Sequence, residues 1–196
     1  NVIVPWRHHY GGFTDNLISS WHRFFGLPDG NRDSYPTDAL HYQLSQPEHD
    51  RRLIRSASGQ GDIHVAVSRP VLAIDGGQLG ISMGVKTASG QSADWLGSGA
   101  TDVYALLRFS GQQLGGWPLW WHGQVGGTRA GDSDLLGPEQ KRSLWFAGLA
   151  AEWRFTPRWS ALIQYDGHSA LLDGALEALG EPAGMLSMAV RWRPTG

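Results

Sequence analysis

The feature that most constrains this chain is a two-residue alternation of apolar and polar side chains that recurs from Gly61 onward. This period is typical of β-strands whose two faces meet different surroundings, because successive side chains of a strand point to opposite sides. The sequence therefore predicts an all-β fold. Seven segments follow the pattern: 62–68, 78–86, 101–110, 117–127, 145–155, 159–166 and 186–193.

The composition narrows the class of protein. The chain has 27 Gly and 10 Trp in 196 residues and is only 17% charged, against about 25% in a typical soluble domain. A net charge of −2 argues against a nucleic-acid partner, since neutralising phosphates requires a basic surface. The absence of Cys excludes disulfides, Cys-ligated zinc and a Cys nucleophile. No apolar run reaches the ~18 residues of a transmembrane helix, and the mean hydropathy of −0.30 is compatible with membrane strands, whose two faces average out.

The connections between the predicted strands alternate between short and long. Transmembrane barrels sort their connections in this way, with short periplasmic turns and longer external loops. We therefore expect an antiparallel up-and-down transmembrane β-barrel in the bacterial outer membrane, with strands supplied by residues 62–196. The short connections are 75–77, 110–116 and 156–157, and the long ones are 87–98, 128–142 and 169–183.

Aromatic side chains lie where the two edges of a membrane band are expected. Trp145 and Trp153 share one face of a predicted strand, and their spacing at ~3.3 Å per residue and a tilt near 40° spans roughly 20 Å of membrane normal. Outer-membrane barrels carry two aromatic girdles that flank an apolar band about 25 Å tall. Outer-membrane lipid and lipopolysaccharide are therefore the expected partners. We assign the membrane girdle to Phe109, Trp117, Trp145, Trp153, Phe155, Trp159 and Trp192.

The opposite face of the predicted strands is polar. Charges of both signs on this face predict a small lumen that is wet or salt-bridged. The alternative interpretation is that the same residues form the solvated face of a soluble antiparallel sandwich or lipocalin-like barrel. The candidates for the lumen are Asp62, His64, Lys86, Asp102, Arg108, His122, Gln124, Glu152, Arg154, Gln164, Asp166 and Arg191.

Residues 1–61 follow a different pattern, and we expect them to form a loop and short-helix region at the barrel mouth. Between Asp15 and Phe25 apolar residues recur at helical spacing, after N-cap residue types and before Gly26. This stripe is too large to leave in water, so the barrel mouth, the outer leaflet or another protein must cover it. We favour the mouth, with the helix as a lid anchored by Trp21. The mouth helix is assigned to Leu17, Ile18, Trp21, His22, Phe24 and Phe25.

Few residues of the N-terminal region suggest chemistry. The pair His8-His9 lacks the spacing of a metal site, so we expect a polar loop pair, no metal and no cofactor. Asp15, His22 and either Ser19 or Ser20 are the residue types of a hydrolase triad, but one short helix does not supply the triad geometry. For His22 we expect a hydrogen bond to loop backbone. No catalytic residue is assigned.

Several motifs carry a resemblance to a known family. They are His9-Tyr10-Gly11-Gly12-Phe13-Thr14-Asp15, Trp21-His22, Phe25-Gly26-Leu27-Pro28-Asp29-Gly30, Arg32-Asp33, Ser58-Gly59-Gln60-Gly61-Asp62 and Gly97-Ser98-Gly99-Ala100-Thr101-Asp102. In these motifs the chain resembles, over essentially its whole length, a family of Gram-negative outer-membrane proteins known only as a domain of unknown function. Its pattern is also similar to that of outer-membrane proteins of aromatic-compound uptake. The resemblance implies a parent barrel of about 10–12 strands, of which we expect this chain to be a piece, incomplete at both ends and without its signal peptide.

Three functions are compatible with the sequence. The first is a channel or binder for a small hydrophobic or amphipathic solute, favoured by the polar inward face and by the resemblance. The second is a non-conducting structural or surface-interaction barrel with a salt-bridged interior. The third is an outer-membrane lipid hydrolase that uses Ser and His near the rim. The oligomeric state stays open.

Overall fold

The computed structural model describes residues 1–46, 48–74, 76–174 and 177–194. Strands make up 51% of the chain, which confirms the all-β expectation. The helices are α1 (Asp15–Phe25) and α2 (Glu177–Gly180). The strands are β1 (Val2–Ile3), β2 (Trp6–His9), β3 (Tyr42–Gln46), β4 (His49–Leu53), β5 (Ala57–Gln60), β6 (His64–Ile74), β7 (Gly77–Lys86), β8 (Asp102–Gln112), β9 (Leu119–Arg129), β10 (Ser143–Trp153), β11 (Trp159–His168) and β12 (Ala183–Trp192).

One antiparallel sheet of eight strands forms the body of the protein, in the order β1-β6-β7-β8-β9-β10-β11-β12. Each strand from β6 to β11 pairs with the strand that follows it in sequence, which confirms the seven alternating segments as strands in up-and-down order. In the described residues β12 pairs with β11 and β1 with β6, which leaves the sheet with two edges. Asp75, the first residue of a predicted short turn, lies outside the described residues, as do residues 175 and 176 of the last long connection.

The eighth strand comes from the N-terminus. Val2 pairs with Val65 in β6, and Trp6 pairs with Gln60 in β5, so that residues 1–9 run antiparallel to both strands. The ladder shifts by one residue between these pairs, where the N–H of Gly61 donates to the carbonyl oxygen of Pro5 at 2.8 Å. The alternation alone predicts seven strands, whereas the sheet has eight. The additional strand was not predicted because residues 1–9 are too short to show a period.

The sheet is curved, and its concave face is polar. A cavity of about 830 Å³ is lined by residues from every strand between β6 and β12. The lining includes Ser68 of β6, Gln78 of β7, Ser110 of β8 and Arg191 of β12. A polar surface at the centre of curvature cannot serve as the apolar core of a soluble domain.

The convex face is apolar and open to its surroundings. In register across the sheet, Leu107 pairs with Val125, and Ile163 pairs with Met188. All four side chains are exposed, Met188 to 71%. The total accessible surface is 13217 Å², whereas a compact soluble protein of 21.4 kDa exposes roughly 9,100 Å². The chain therefore forms a single layer that leaves its largest apolar surface uncovered.

Most of the dense packing lies at the end of the sheet where the long connections meet. We call the segments 87–101, 130–142 and 169–174, together with the β3–β4 hairpin, the loop cap. The buried apolar residues Leu53, Ala57, Leu96, Ala100, Ala130, Ala170 and Leu172 all lie in or beside it, and Leu106 lies within the sheet. The hairpin is held to the cap by side-chain bonds, in which His49 Nε2 donates to the carbonyl oxygen of Leu135 at 3.0 Å and Gln46 Nε2 to that of Leu136 at 2.9 Å.

Helix α1 spans Asp15–Phe25, the limits predicted from its apolar stripe. It ends at Gly26, whose φ of 64° is a left-handed conformation that glycine adopts without a steric penalty. Thr14 precedes the helix without a side-chain cap bond. The described helices are too short and too polar to span a bilayer.

Candidate functional site

The strand register brings seven of the predicted lumen residues to the concave cavity. Gln124 of β9 pairs with Arg108 of β8 and with Gly148 of β10, and Gly148 pairs with Asp166 of β11. These neighbours share one face because residues opposite each other in a ladder point the same way. The predicted residues that line the cavity are Arg108, His122, Gln124, Glu152, Gln164, Asp166 and Arg191.

Three further predicted residues form a buried ion cluster beside the loop cap. Asp62 is 2% exposed and lies 3.1 Å from Lys86 Nζ. Its carboxylate also accepts hydrogen bonds from the backbone N–H groups of Gly90 and Ser98, each at 2.9 Å. Lys86 Nζ lies 3.0 Å from Asp102 Oδ2 and donates to the hydroxyl of Ser98. The cluster ties the first long connection to the ends of β7 and β8.

The environment of Asp62 favours its charged form. Burial raises the pKa of the Asp62 carboxyl, but the hydrogen bonds from Ser98 and Gly90 and the ion pair with Lys86 together lower it more strongly. The pKa of Asp62 therefore lies below its usual value. A carboxylate that is saturated by donors and held ionised in this way is a structural tie.

A second group of charged residues lies at the opposite, short-turn end of the concave face. We call Glu152, Arg154, Arg191 and Arg193 the arginine cluster. Glu152 is 9% exposed; its Oε1 lies 2.9 Å from Arg193 Nη2, and its Oε2 lies 3.3 Å from Arg191 Nη1. Arg154 Nε lies 3.5 Å from Glu152 Oε1, and the Arg154 guanidinium stacks 3.7 Å from the centre of the Trp120 ring. One carboxylate thus faces three guanidinium groups.

Between these two clusters the concave face offers further hydrogen-bonding groups, both charged and neutral. Gln164 Nε2 donates to Asp166 Oδ2 at 2.6 Å, and the hydroxyls of Ser68 and Ser82 lie 2.7 Å apart. His64, the remaining predicted lumen residue, pairs in register with Lys86 at the start of β6. This middle region can hold the polar part of a solute by hydrogen bonds.

The predicted girdle residues are concentrated at the short-turn end of the convex face. Trp159 and Trp192 pair across β11 and β12 with ring centres 6.4 Å apart, and Trp153 lies 5.6 Å from Phe155. Trp145 lies near the opposite end, in β10. The exposed members are Trp117, Trp145, Trp153, Phe155, Trp159 and Trp192, and Phe109 is half-buried against Trp121.

The predicted mouth helix lies beside a second cavity. None of its side chains is buried, and Trp21 is 58% exposed, with its ring 4.5 Å from that of Phe25. The cavity has a volume of about 880 Å³. Its lining includes Asp15 of the helix, which accepts a hydrogen bond from Arg32 at 2.6 Å. Whether α1 acts as a lid stays a prediction. The remaining helix residues are Leu17, Phe24 and Phe25, which are exposed, and Ile18 and His22, which are half-buried.

The histidines of the N-terminal region are engaged by backbone. His22 Nδ1 donates to the carbonyl oxygen of Pro28 at 2.8 Å, which confirms the expected loop bond, and His9 Nε2 donates to that of Trp95 at 3.1 Å. The Asp15 carboxylate is taken by Arg32 and by the backbone N–H of Asp38. Within the described ranges, His, Asp and Glu side chains form no group of three that could hold a metal ion.

Some parts of the site carry no signal in the sequence. The backbone N–H groups that hold Asp62 and Asp102, including that of Gly131 at 2.9 Å, exist at every non-proline residue, so only the folded loops reveal them. The stacking of Arg154 on Trp120 links two strands and is equally hidden. Arg193, by contrast, shares the two-residue alternation with Arg191, which predicts it on the same polar face.

Comparison with known proteins gives a family without an assigned activity. No curated protein and no solved structure matches this chain. One family model covers residues 1–194 and is described as a protein of unknown function, DUF3187. The expected match to a domain of unknown function over the whole chain is confirmed, and the kinship with outer-membrane and aromatic-uptake proteins stays a prediction. The chain belongs to the DUF3187 family.

Proposed function

We propose that this protein is an outer-membrane β-barrel that holds a small amphipathic solute on its polar concave face. The observation that carries the proposal is the inversion of the two sheet faces. Apolar side chains cover the convex side, and a charged, hydrogen-bonding cavity occupies the concave side. In water this arrangement would leave the apolar face exposed, so the hydrophobic effect would not stabilise the fold. In a bilayer the convex face contacts acyl chains and the polar face encloses water.

The amount of exposed surface also supports the proposal. Soluble monomers rarely leave contiguous apolar patches larger than a few hundred Å². Here the total accessible area exceeds that of a compact soluble protein of equal mass by roughly 4,000 Å². Lipid contact along the convex face would cover the apolar part of this excess without a protein partner.

The edges of the sheet are compatible with closure. β1 runs antiparallel to β6, and the regular alternation of the meander makes β12 run opposite to β1. Direct pairing of the two edges, or the insertion of an even number of further strands, would therefore preserve antiparallel order. Bacterial single-chain barrels have even strand numbers for this reason.

A non-conducting structural barrel is the second candidate, favoured by the ion pairs at both ends of the concave face. Lys86 bridges Asp62 and Asp102 at one end, and the arginine cluster spans β10 and β12 at the other. Cross-strand ion networks of this kind stiffen a small barrel interior. A cavity between them distinguishes the first candidate, because a purely structural interior has no need of the space.

The membrane part of the proposal is tested by a pair of neighbouring alanines on β10. Ala151 pairs with Ile163 on the convex face, and Ala150 lines the concave cavity. In refolding titrations into lipid vesicles, Ala151→Arg should lower the stability of the folded protein by about 2–4 kcal/mol, whereas Ala150→Arg should lower it less. Equal costs, or a wild-type protein that folds as a monomer in detergent-free buffer, would overturn the proposal.

A further inference from the structure

We propose that the arginine cluster is the recognition site for the charged group of a small organic anion bound on the concave face. This inference deepens the proposed function and rests on it, since it names the class of solute. Its starting point is the charge balance at the short-turn end of the cavity. Three guanidinium groups face the single carboxylate of Glu152, which leaves a net charge of +2.

The hydrogen-bonding capacity of the cluster is equally unbalanced. A guanidinium carries five N–H donors, and a carboxylate offers about four acceptor positions. Glu152 therefore satisfies a minority of the donors that surround it. Arg154 Nε is shielded from solvent, and although it lies 3.5 Å from Glu152 Oε1, the two atoms do not form a hydrogen bond. Most buried donors are paired, so Arg154 Nε is an exception, and the exposed N–H groups of Arg191 and Arg193 are the ones that an acceptor in the cavity can reach.

The position of the cluster connects this surplus to the cavity. Glu152 and Arg191 both line the cavity, and Leu162 lines it beside them. The Arg191 and Arg193 side chains keep 53% and 39% of their surface exposed. A carboxylate placed there would receive charge-assisted, forked hydrogen bonds, which are the strongest that arginine makes. Its apolar part would extend along Leu162 and Ala150.

The opposite end of the concave face does not compete for an anion. Lys86 is shared by Asp62 and Asp102, so that cluster is anionic overall and its amine is already saturated. Asp166 in the middle of the cavity also repels anions, and its neighbour Gln164 is neutral. Of the two ion clusters, only the arginine cluster therefore presents surplus positive charge to an organic anion.

The test measures equilibrium binding of radiolabelled hexanoate to the whole chain, refolded in zwitterionic lipid nanodiscs, with hexylammonium as the probe of opposite charge. We expect saturable binding of hexanoate and none of hexylammonium. Arg191→Gln should weaken hexanoate binding about tenfold or more, because one charge-assisted pair is lost while Arg154 and Arg193 still neutralise Glu152. Arg191→Lys keeps the charge but loses the forked pair of donors, so its affinity for hexanoate should lie between those of wild type and Arg191→Gln.

Arg158→Gln is the matched control. Arg158 is exposed in the short connection after β10 and is absent from the cavity lining. Its substitution changes the net charge at the same end but keeps the backbone bond in which the Arg193 N–H donates to the Arg158 carbonyl oxygen. The inference is overturned if Arg191→Gln and Arg158→Gln bind hexanoate equally, if hexylammonium binds as well as hexanoate, or if wild-type protein binds neither. Near-identical thermal unfolding of the variants separates lost binding from lost folding. Failure here leaves the alanine test of membrane insertion untouched, and each result is read independently.

Discussion

The substitution Asp62→Asn tests whether the ion cluster beside the loop cap holds the first long connection in place. Asp62 is almost fully buried and accepts bonds from two backbone N–H groups and from Lys86. Asparagine keeps the shape of the side chain but replaces one accepting oxygen with an NH₂ group. That group then faces donors, because the atoms around both oxygens of Asp62 are N–H groups.

The expected cost follows from what remains after the substitution. Breaking a buried ion pair by removing one partner costs about 3–5 kcal/mol. Lys86 retains Asp102 at 3.0 Å, so the loss lies near the lower limit, at about 3 kcal/mol. Since 1.36 kcal/mol corresponds to a factor of ten, the opening equilibrium of the connection rises roughly 100-fold.

Amide hydrogen exchange measures this opening directly. We expect the protection of Gly90 and Leu96, in the connection that Asp62 anchors, to fall roughly 100-fold in Asp62→Asn, while amides of β9 and β10 keep theirs. Asp132→Asn is the control, since the Asp132–Arg142 pair is mostly exposed and such pairs contribute about 0–1 kcal/mol. Equal loss of protection in the two variants would refute the assignment of a structural tie to Asp62.

Three further predictions follow from particular contacts. The pKa of Asp62 is lowered in the folded protein, so its contribution to the stability of the fold is complete above about pH 4 and is lost as pH falls through the folded-state pKa. The stabilities of wild type and Asp62→Asn, measured by urea unfolding at a series of pH values, should therefore converge in acid. Gly123→Ala should destabilise the sheet by about 1–3 kcal/mol in the same assay, because the added Cβ would collide with the Phe109 ring, whereas Gly127→Ala, whose nearest contact is 3.3 Å from a carbonyl oxygen, should cost less. Trp21→Ala should change unfolding by no more than about 0.5 kcal/mol because α1 buries no side chain, and a lid role requires that it also speed solute exchange from vesicles; unchanged exchange would rule the lid out.

The strands and the helix were predictable because each carries its own period. The limits of α1 follow from the stripe that ends at Phe25 and from Gly26, and β7 was placed within one residue by its alternation. The pairing of residues 1–9 with β5 and β6 was not predictable, since residues 1–9 and β5 are short segments with no periodic signal. The β3–β4 hairpin was missed for a related reason, because its strands are five residues each and lie within an irregular region.

In the candidate site, too, the features that follow from a periodic pattern were predictable and the others were not. Alternation alone assigned Arg108, Gln124 and Arg191 to one face, and the register brings them to one cavity. The imbalance of the arginine cluster required knowing that β10 and β12, which are separated by β11, curve toward each other. Distances across a curved sheet depend on its curvature, which a local pattern does not encode.

The N-terminal strand also sets the order in which the sheet assembles. Every pairing from β6 to β12 joins consecutive strands, most of them through connections of a few to about fifteen residues, so these hairpins form through local encounters. The pairing of Val2 with Val65 must instead close a loop of about sixty residues, an additional entropic cost on the order of 2 kcal/mol relative to a tight turn. Only the short ladders of β1 and β2 offset that cost, so we expect the N-terminus to join last and the outer edge of β6 to stay open longest to other molecules.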